Sequence, residues 1–175
     1  MSPAQRIATA AVIAALMGGA PGLAVAAAPQ TSPPSQQNET WVRYEVTPPN
    51  SNTRTMDVDS GGRLVMVDRA PNSDRQLWGL SGAEGQQLLK NKATGTCLTA
   101  PGGGSQGSVT LQTCDPTNVN QQWRAEYWGE GRFTLVLAPH HALYLTGSGE
   151  FGGGVSVEIY HGTFAQYWSA VPPGY

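Results

Sequence analysis

Apolar and polar residues alternate in short runs between residues 41 and 172, and glycine-rich turns separate the runs. Residues 41–46 read Trp-Val-Arg-Tyr-Glu-Val, residues 64–67 Leu-Val-Met-Val and residues 132–137 Arg-Phe-Thr-Leu-Val-Leu. The turns are Ser60-Gly61-Gly62, the stretch 101–107 and the stretch 147–154. Period-two alternation broken by regular turns predicts short β-strands, half-buried on one face.

The pattern repeats. Gln76-Leu77-Trp78, Gln121-Gln122-Trp123 and Gln166-Tyr167-Trp168 are three copies of Gln-x-Trp spaced 45 and 45 residues apart. Each follows an alternating strand (64–67, 109–112, 157–160), a Gly-rich turn precedes that strand, and another strand precedes the turn (56–58, 97–99, 143–145). Longer runs at 41–46, 87–90 and 132–137 open the repeats. Four strands per repeat make twelve over 41–84, 85–129 and 130–172, and threefold repetition at this period predicts an all-β barrel closed by three hairpins. A spacing of two puts Gln and Trp on one face of a strand. A buried indole supplies a large apolar area and a buried glutamine amide must find partners, so Gln76, Trp78, Gln121, Trp123, Gln166 and Trp168 are expected to form core wedges with polar latches.

Composition narrows the class. The 175 residues include 22 glycines and 13 prolines, only 13% are charged, and the net charge is −2. That profile opposes a coiled coil or long helical bundle, and the absence of a basic cluster opposes nucleic acid or an anionic membrane as partner. At the N-terminus, Arg6, an apolar run from Ile7 to Met17 and Ala24-Val25-Ala26 predict a secretory signal peptide over residues 1–26, and hence an extracellular protein. Residues 27–40, rich in Pro, Ser and Gln, are expected to form a flexible linker, leaving 41–175 as the folded domain. Two cysteines in an oxidising compartment read as one Cys97–Cys114 disulfide closing an 18-residue segment, since no further ligands flank either for a metal.

The runs Gly95-Thr96-Cys97-Leu98, Leu111-Gln112-Thr113-Cys114 and Asn120-Gln121-Gln122-Trp123, set within threefold Gln-x-Trp, resemble the ricin-type lectin domain, a β-trefoil. The resemblance spans essentially the whole chain beyond the linker, and it implies a sugar site in each repeat: a carboxylate after the Cys-Leu position, an aromatic two before the second cysteine, and an asparagine just before Gln-x-Trp. A carboxylate and an amide exchange hydrogen bonds with vicinal hydroxyls, and a ring stacks on the C–H face. Carried over, the first repeat keeps Asp57, with Thr55 and Arg69 in place of the cysteines, Val67 in place of the aromatic and Arg75 in place of the asparagine. The second keeps Asn120 and Gln121 but has Thr99 and Gln112 at the carboxylate and aromatic positions. The third offers Tyr160 as platform, Tyr144 at the carboxylate position and Glu158 as an acceptor, with Ala165 replacing the asparagine. The loop before Gln166 reads as three residues shorter than its counterpart, so the register of the third repeat stays open.

No enzyme constellation emerges. His140 and His141 are adjacent and would point to opposite faces of a strand, Gly147-Ser148-Gly149 has no helix pattern after it, and the Gly-rich turns lack a Lys-Ser/Thr ending. No cofactor and no metal site are therefore expected. The reading is a secreted, non-catalytic, carbohydrate-binding protein. The alternatives are a trefoil protein-interaction or inhibitory module with degraded sugar sites, or a targeting subunit whose partner is a separate secreted enzyme or toxin. Trp41 and Trp128 stay open between core and ligand platform.

Overall fold

A computed structural model of the chain describes residues 40–49 and 52–174, which all belong to one compact unit. The expected signal peptide, and all of the expected linker but the exposed Thr40, lie outside the described residues. The first repeat contains β1 (Trp41–Val46), β2 (Arg54–Val58), β3 (Leu64–Val67) and β4 (Trp78–Ala83). The second contains β5 (Gln86–Asn91), β6 (Cys97–Thr99), β7 (Gly107–Ser108), β8 (Thr110–Gln112) and β9 (Trp123–Gly129). The third contains β10 (Arg132–Leu137), β11 (Leu143–Gly147), β12 (Gly153–Ile159) and β13 (Trp168–Val171). All twelve expected strands are present. The strand expected over 109–112 is β8, and β7 is a further two-residue segment before it, the two separated by Val109, which turns its N–H to the Val155 carbonyl (3.2 Å).

The first and last strands of the repeats close on themselves. Antiparallel pairing runs β1–β4–β5–β9–β10–β13 and back to β1, a six-stranded barrel without a free edge. The hairpins β2–β3, β6–β8 and β11–β12 stand on it, and β12 also pairs with β3 and β7, tying the hairpins to one another. This is a β-trefoil.

The three tryptophans of the repeat are wholly buried, among Met56, Met66, Leu89, Leu135 and Leu145. Each indole N–H donates to the backbone carbonyl of the second strand of its own repeat: Trp78 to Met56 (3.1 Å), Trp123 to Leu98 (3.1 Å) and Trp168 to Leu145 (2.9 Å). Packing here is tight enough that a Cβ on Gly147 would lie 2.7 Å from the Trp168 ring. Trp41 is half-buried against Gly79, whereas Trp128 is exposed.

The expectation that Gln and Trp share a strand face needs correction. Each glutamine ends a single 3₁₀ turn (Asp74–Gln76, Val119–Gln121, Phe164–Gln166), and each tryptophan opens the following strand. The turn takes the glutamine out of strand register, so its amide reaches the loop behind it instead of competing with the sheet ladder.

Candidate functional site

The glutamine latches align the three repeats atom by atom. Gln76 accepts from the Ala70 N–H (2.8 Å) and donates to the Asp68 carbonyl (3.0 Å). Gln121 does the same with Asp115 (2.8 Å) and Thr113 (3.0 Å), and Gln166 with His161 (2.8 Å) and Ile159 (2.8 Å). Together with the indole bonds, these contacts make Asp57, Thr99 and Thr146 equivalent. They likewise equate Thr55 with Cys97 and Tyr144, and Arg69 with Cys114 and Tyr160. The third repeat reaches its latch N–H across five residues where the other two take six, so its loop is one residue shorter, not three.

Two expectations for the third repeat move accordingly. Tyr144 does not occupy the carboxylate position: Thr146 does, 9% exposed, accepting from Gln166 Nε2 (3.3 Å) and donating to the Tyr144 carbonyl (3.1 Å). Tyr160 does not occupy the aromatic position two before the second cysteine; Glu158 does, its Oε1 accepting from Ser156 Oγ (2.8 Å). Tyr144 stands two residues before the carboxylate position and Tyr160 two residues after the aromatic one, so each falls at a cysteine-equivalent position instead.

Each repeat ties the cysteine-equivalent positions in a different way. The second uses the Cys97–Cys114 disulfide. In the first, the buried Glu45 carboxylate accepts from Thr55 Oγ1 (3.2 Å) and takes a bidentate pair from Arg69 Nε (2.8 Å) and Nη2 (2.7 Å). That hydrogen-bonded pair raises the pKa of Arg69 above its ordinary value. In the third, the rings of Tyr144 and Tyr160 meet at 4.9 Å between centroids, tilted by 44°.

At the carboxylate position only the first repeat retains an acid. Asp57 is half-buried near the end of β2, close enough to the Gln76 side chain for that amide to favour its charged form. Burial pushes its pKa above the usual carboxylate range, against the opposing pull of Gln76, the Arg75 guanidinium and the Val58 backbone. Exposed Arg75 immediately precedes the latch, where the second repeat has Asn120, and supplies a cationic donor beside the carboxylate. The half-buried Asn120 side chain makes no hydrogen bond among the described residues, but its neighbour Thr99 is 3% exposed and taken by Gln121 Nε2 (3.0 Å). Gln121, expected as both latch and sugar ligand, is wholly buried with its amide engaged by Asp115, Thr99 and Thr113, as the latch role requires.

Sequence reasoning left one grouping unseen. Trp128, Tyr160, Tyr144 and Tyr167 form a continuous aromatic surface: Trp128 and Tyr160 lie parallel within 6° at 6.0 Å, and Tyr167 stands edge-on to both. Tyr160 and Tyr167 share a hydrogen bond between their hydroxyls, which pushes the Tyr160 pKa up to about 12. Adjacent aromatics in one run would have been a signal; these come from β9, β11 and the segments around the last latch. Among the described residues no group of three potential metal ligands occurs, and no helix is long and apolar enough to cross a membrane.

A family model described as ricin-type beta-trefoil lectin domain-like matches residues 74–172. No curated protein matches the chain. Among solved structures, the designed threefold-symmetric protein ThreeFoil has 22% identity and a TM-score of 0.63, covering 75% of this chain and 97% of its own. The ricin B-like lectin of Macrolepiota procera, in complex with lactose, has 16% identity and a TM-score of 0.61, covering 75% and 95%. The exo-β-1,3-galactanase 1,3Gal43A of Clostridium thermocellum has 22% identity and a TM-score of 0.61; the match covers 75% of this chain but 30% of the galactanase.

Proposed function

The chain belongs to the ricin-type β-trefoil lectin domain-like family, and from that premise we propose that it is a secreted, non-catalytic protein that binds carbohydrate through the first-repeat site at Asp57. The observation that carries this reading is the half-buried Asp57 carboxylate, the one acid at this position in the three repeats, with the Gln76 amide and the exposed Arg75 guanidinium both favouring its charged form. An anionic acceptor next to a cationic donor can receive and return hydrogen bonds with two neighbouring hydroxyls of a sugar. The corresponding positions in the other repeats present threonine hydroxyls already engaged by their latches, which supports one repeat as the principal site. Secretion is supported by the sequence of residues 1–26 and by the disulfide.

Titration of lactose and of xylose into the protein by calorimetry tests the proposal. Binding of at least one is expected, with Asp57→Asn weakening it by about 10- to 100-fold, the worth of a hydrogen bond to a charged group. Equal affinities for wild type and variant would remove Asp57 from the site. No binding to these or to a glycan array would favour the protein-interaction module instead, motivated by Thr99, Gln112, Val67 and Ala165 where the resemblance implies sugar ligands.

A further inference from the structure

The outer face of the third repeat carries a surface that the Asp57 site does not use. Glu158 in β12 faces Tyr144 in β11, Tyr144 faces Val136 in β10, and Val136 faces Arg124 in β9, so these four residues form one rung across four strands. On the next rung of β9–β10, Glu126 faces Thr134. Leu135 and Leu137 belong to the hydrophobic core, so Val136 and Thr134 point the other way. Both are nevertheless wholly buried, beneath an outer layer of side chains.

That layer is polar at one end and aromatic at the other. Arg124 pairs with Glu126, and its Nη1 lies 3.0 Å from His141 Nδ1. Trp128, two residues beyond Glu126 on the same face of β9, is 54% exposed, with its indole N–H fixed to Thr134 Oγ1 (3.2 Å). Tyr160, 40% exposed, lies parallel to it and is held by Tyr167, and Tyr144 continues the row. Trp128 and Tyr160 are therefore clamped by hydrogen bonds at their polar edges while ring surface stays open to solvent. Clamped rings lose little further side-chain freedom when something settles on them.

We propose that this ledge of Trp128, Tyr160 and Tyr144, rimmed by Arg124, Glu126 and Glu158, is a second carbohydrate-binding surface that holds several consecutive units of an extended, equatorially linked oligosaccharide. Along the ledge Tyr160 is stacked against Trp128 at 6.0 Å and tilted by 44° from Tyr144 at 4.9 Å, so the three rings form a stepped aromatic edge. C–H faces of such a chain can settle on the exposed ring surface of Trp128 and Tyr160 while the hydroxyls at its edge meet the carboxylates and the guanidinium. A bilayer is the poorer occupant, because inserting the ledge would desolvate Glu126, Glu158 and Arg124 as well. The inference rests on the carbohydrate-binding reading above and extends it from single sugars at Asp57 to chains on a different face.

Two saccharide sizes and two variants separate the two claims. Lactose should bind Trp128→Ala as it binds wild type and be weakened by Asp57→Asn. β-1,3-Galactohexaose or xylohexaose should lose about tenfold in affinity on Trp128→Ala, the worth of one aromatic stack. On the unmutated protein, either hexasaccharide at saturation should shield tryptophan emission from iodide, because Trp128 is the exposed indole among the described tryptophans while Trp78, Trp123 and Trp168 are fully buried. Unchanged hexasaccharide affinity in Trp128→Ala together with unshielded emission would overturn the ledge and leave the Asp57 site standing. Failure of wild type to bind any saccharide would overturn both. Binding of Trp128 to phosphatidylcholine vesicles, shown by the same shielding without saccharide, would overturn the choice of occupant.

Discussion

The proposed role of Asp57 makes sugar binding dependent on pH. Its carboxyl is driven above the usual range chiefly by burial, so it takes up a proton at higher pH than an exposed aspartate, whose pKa is about 3.9. Sugar binding that needs the carboxylate should therefore fall away as pH drops through that raised value, before ordinary surface aspartates titrate. The stability consequence has the opposite sense. Between the unfolded and folded pKa values the native state binds more protons than the unfolded one, so Asp57 lowers stability as pH rises through that window. Lactose titrations from neutral to acid pH, beside urea unfolding of wild type and Asp57→Asn, check both directions. An affinity independent of pH down to the range of a free aspartate would refute the assignment.

At the scale of elements, one position pair is secured by three unlike devices: an ion pair through Glu45, a disulfide, and a tyrosine contact. The shared geometry is what the second and third strands of each repeat require, and any chemistry spanning it will serve. Reduction of Cys97–Cys114 removes a constraint from the unfolded chain and should cost about 3 kcal/mol, read as a lower urea midpoint in the presence of dithiothreitol. The same comparison explains why the third repeat was hard to read in sequence. A tyrosine in a cysteine's place carries no signature, so nothing along the chain marked Tyr144 and Tyr160 as the equivalents of the cysteine pair.

For the molecule as a whole, barrel and hairpins share one core, with an indole from each repeat hydrogen-bonded to its own second strand. Removing one wedge should therefore be felt everywhere. Trp123→Ala is expected to cost about 3–5 kcal/mol and to leave a single cooperative transition by circular dichroism and fluorescence; separate melting of one repeat would contradict a shared core.

Much of this was already written along the chain. Alternation, the 45-residue recurrence and the paired cysteines determined the strands, the threefold division, the buried indoles and the latches, because each depends on local spacing and on what a buried tryptophan or amide must do. Only the tertiary structure decided which residues share a surface. The grouping of Trp128 with Tyr160, Tyr144 and Tyr167, the ion pair between β1 and the segment after β3 that stands in for a disulfide, and the burial of Gln121 and Thr99 all depend on how strands and latch turns remote in sequence pack together. Proximity between residues remote in sequence is set by closure of the ring, and no periodicity along the chain records it.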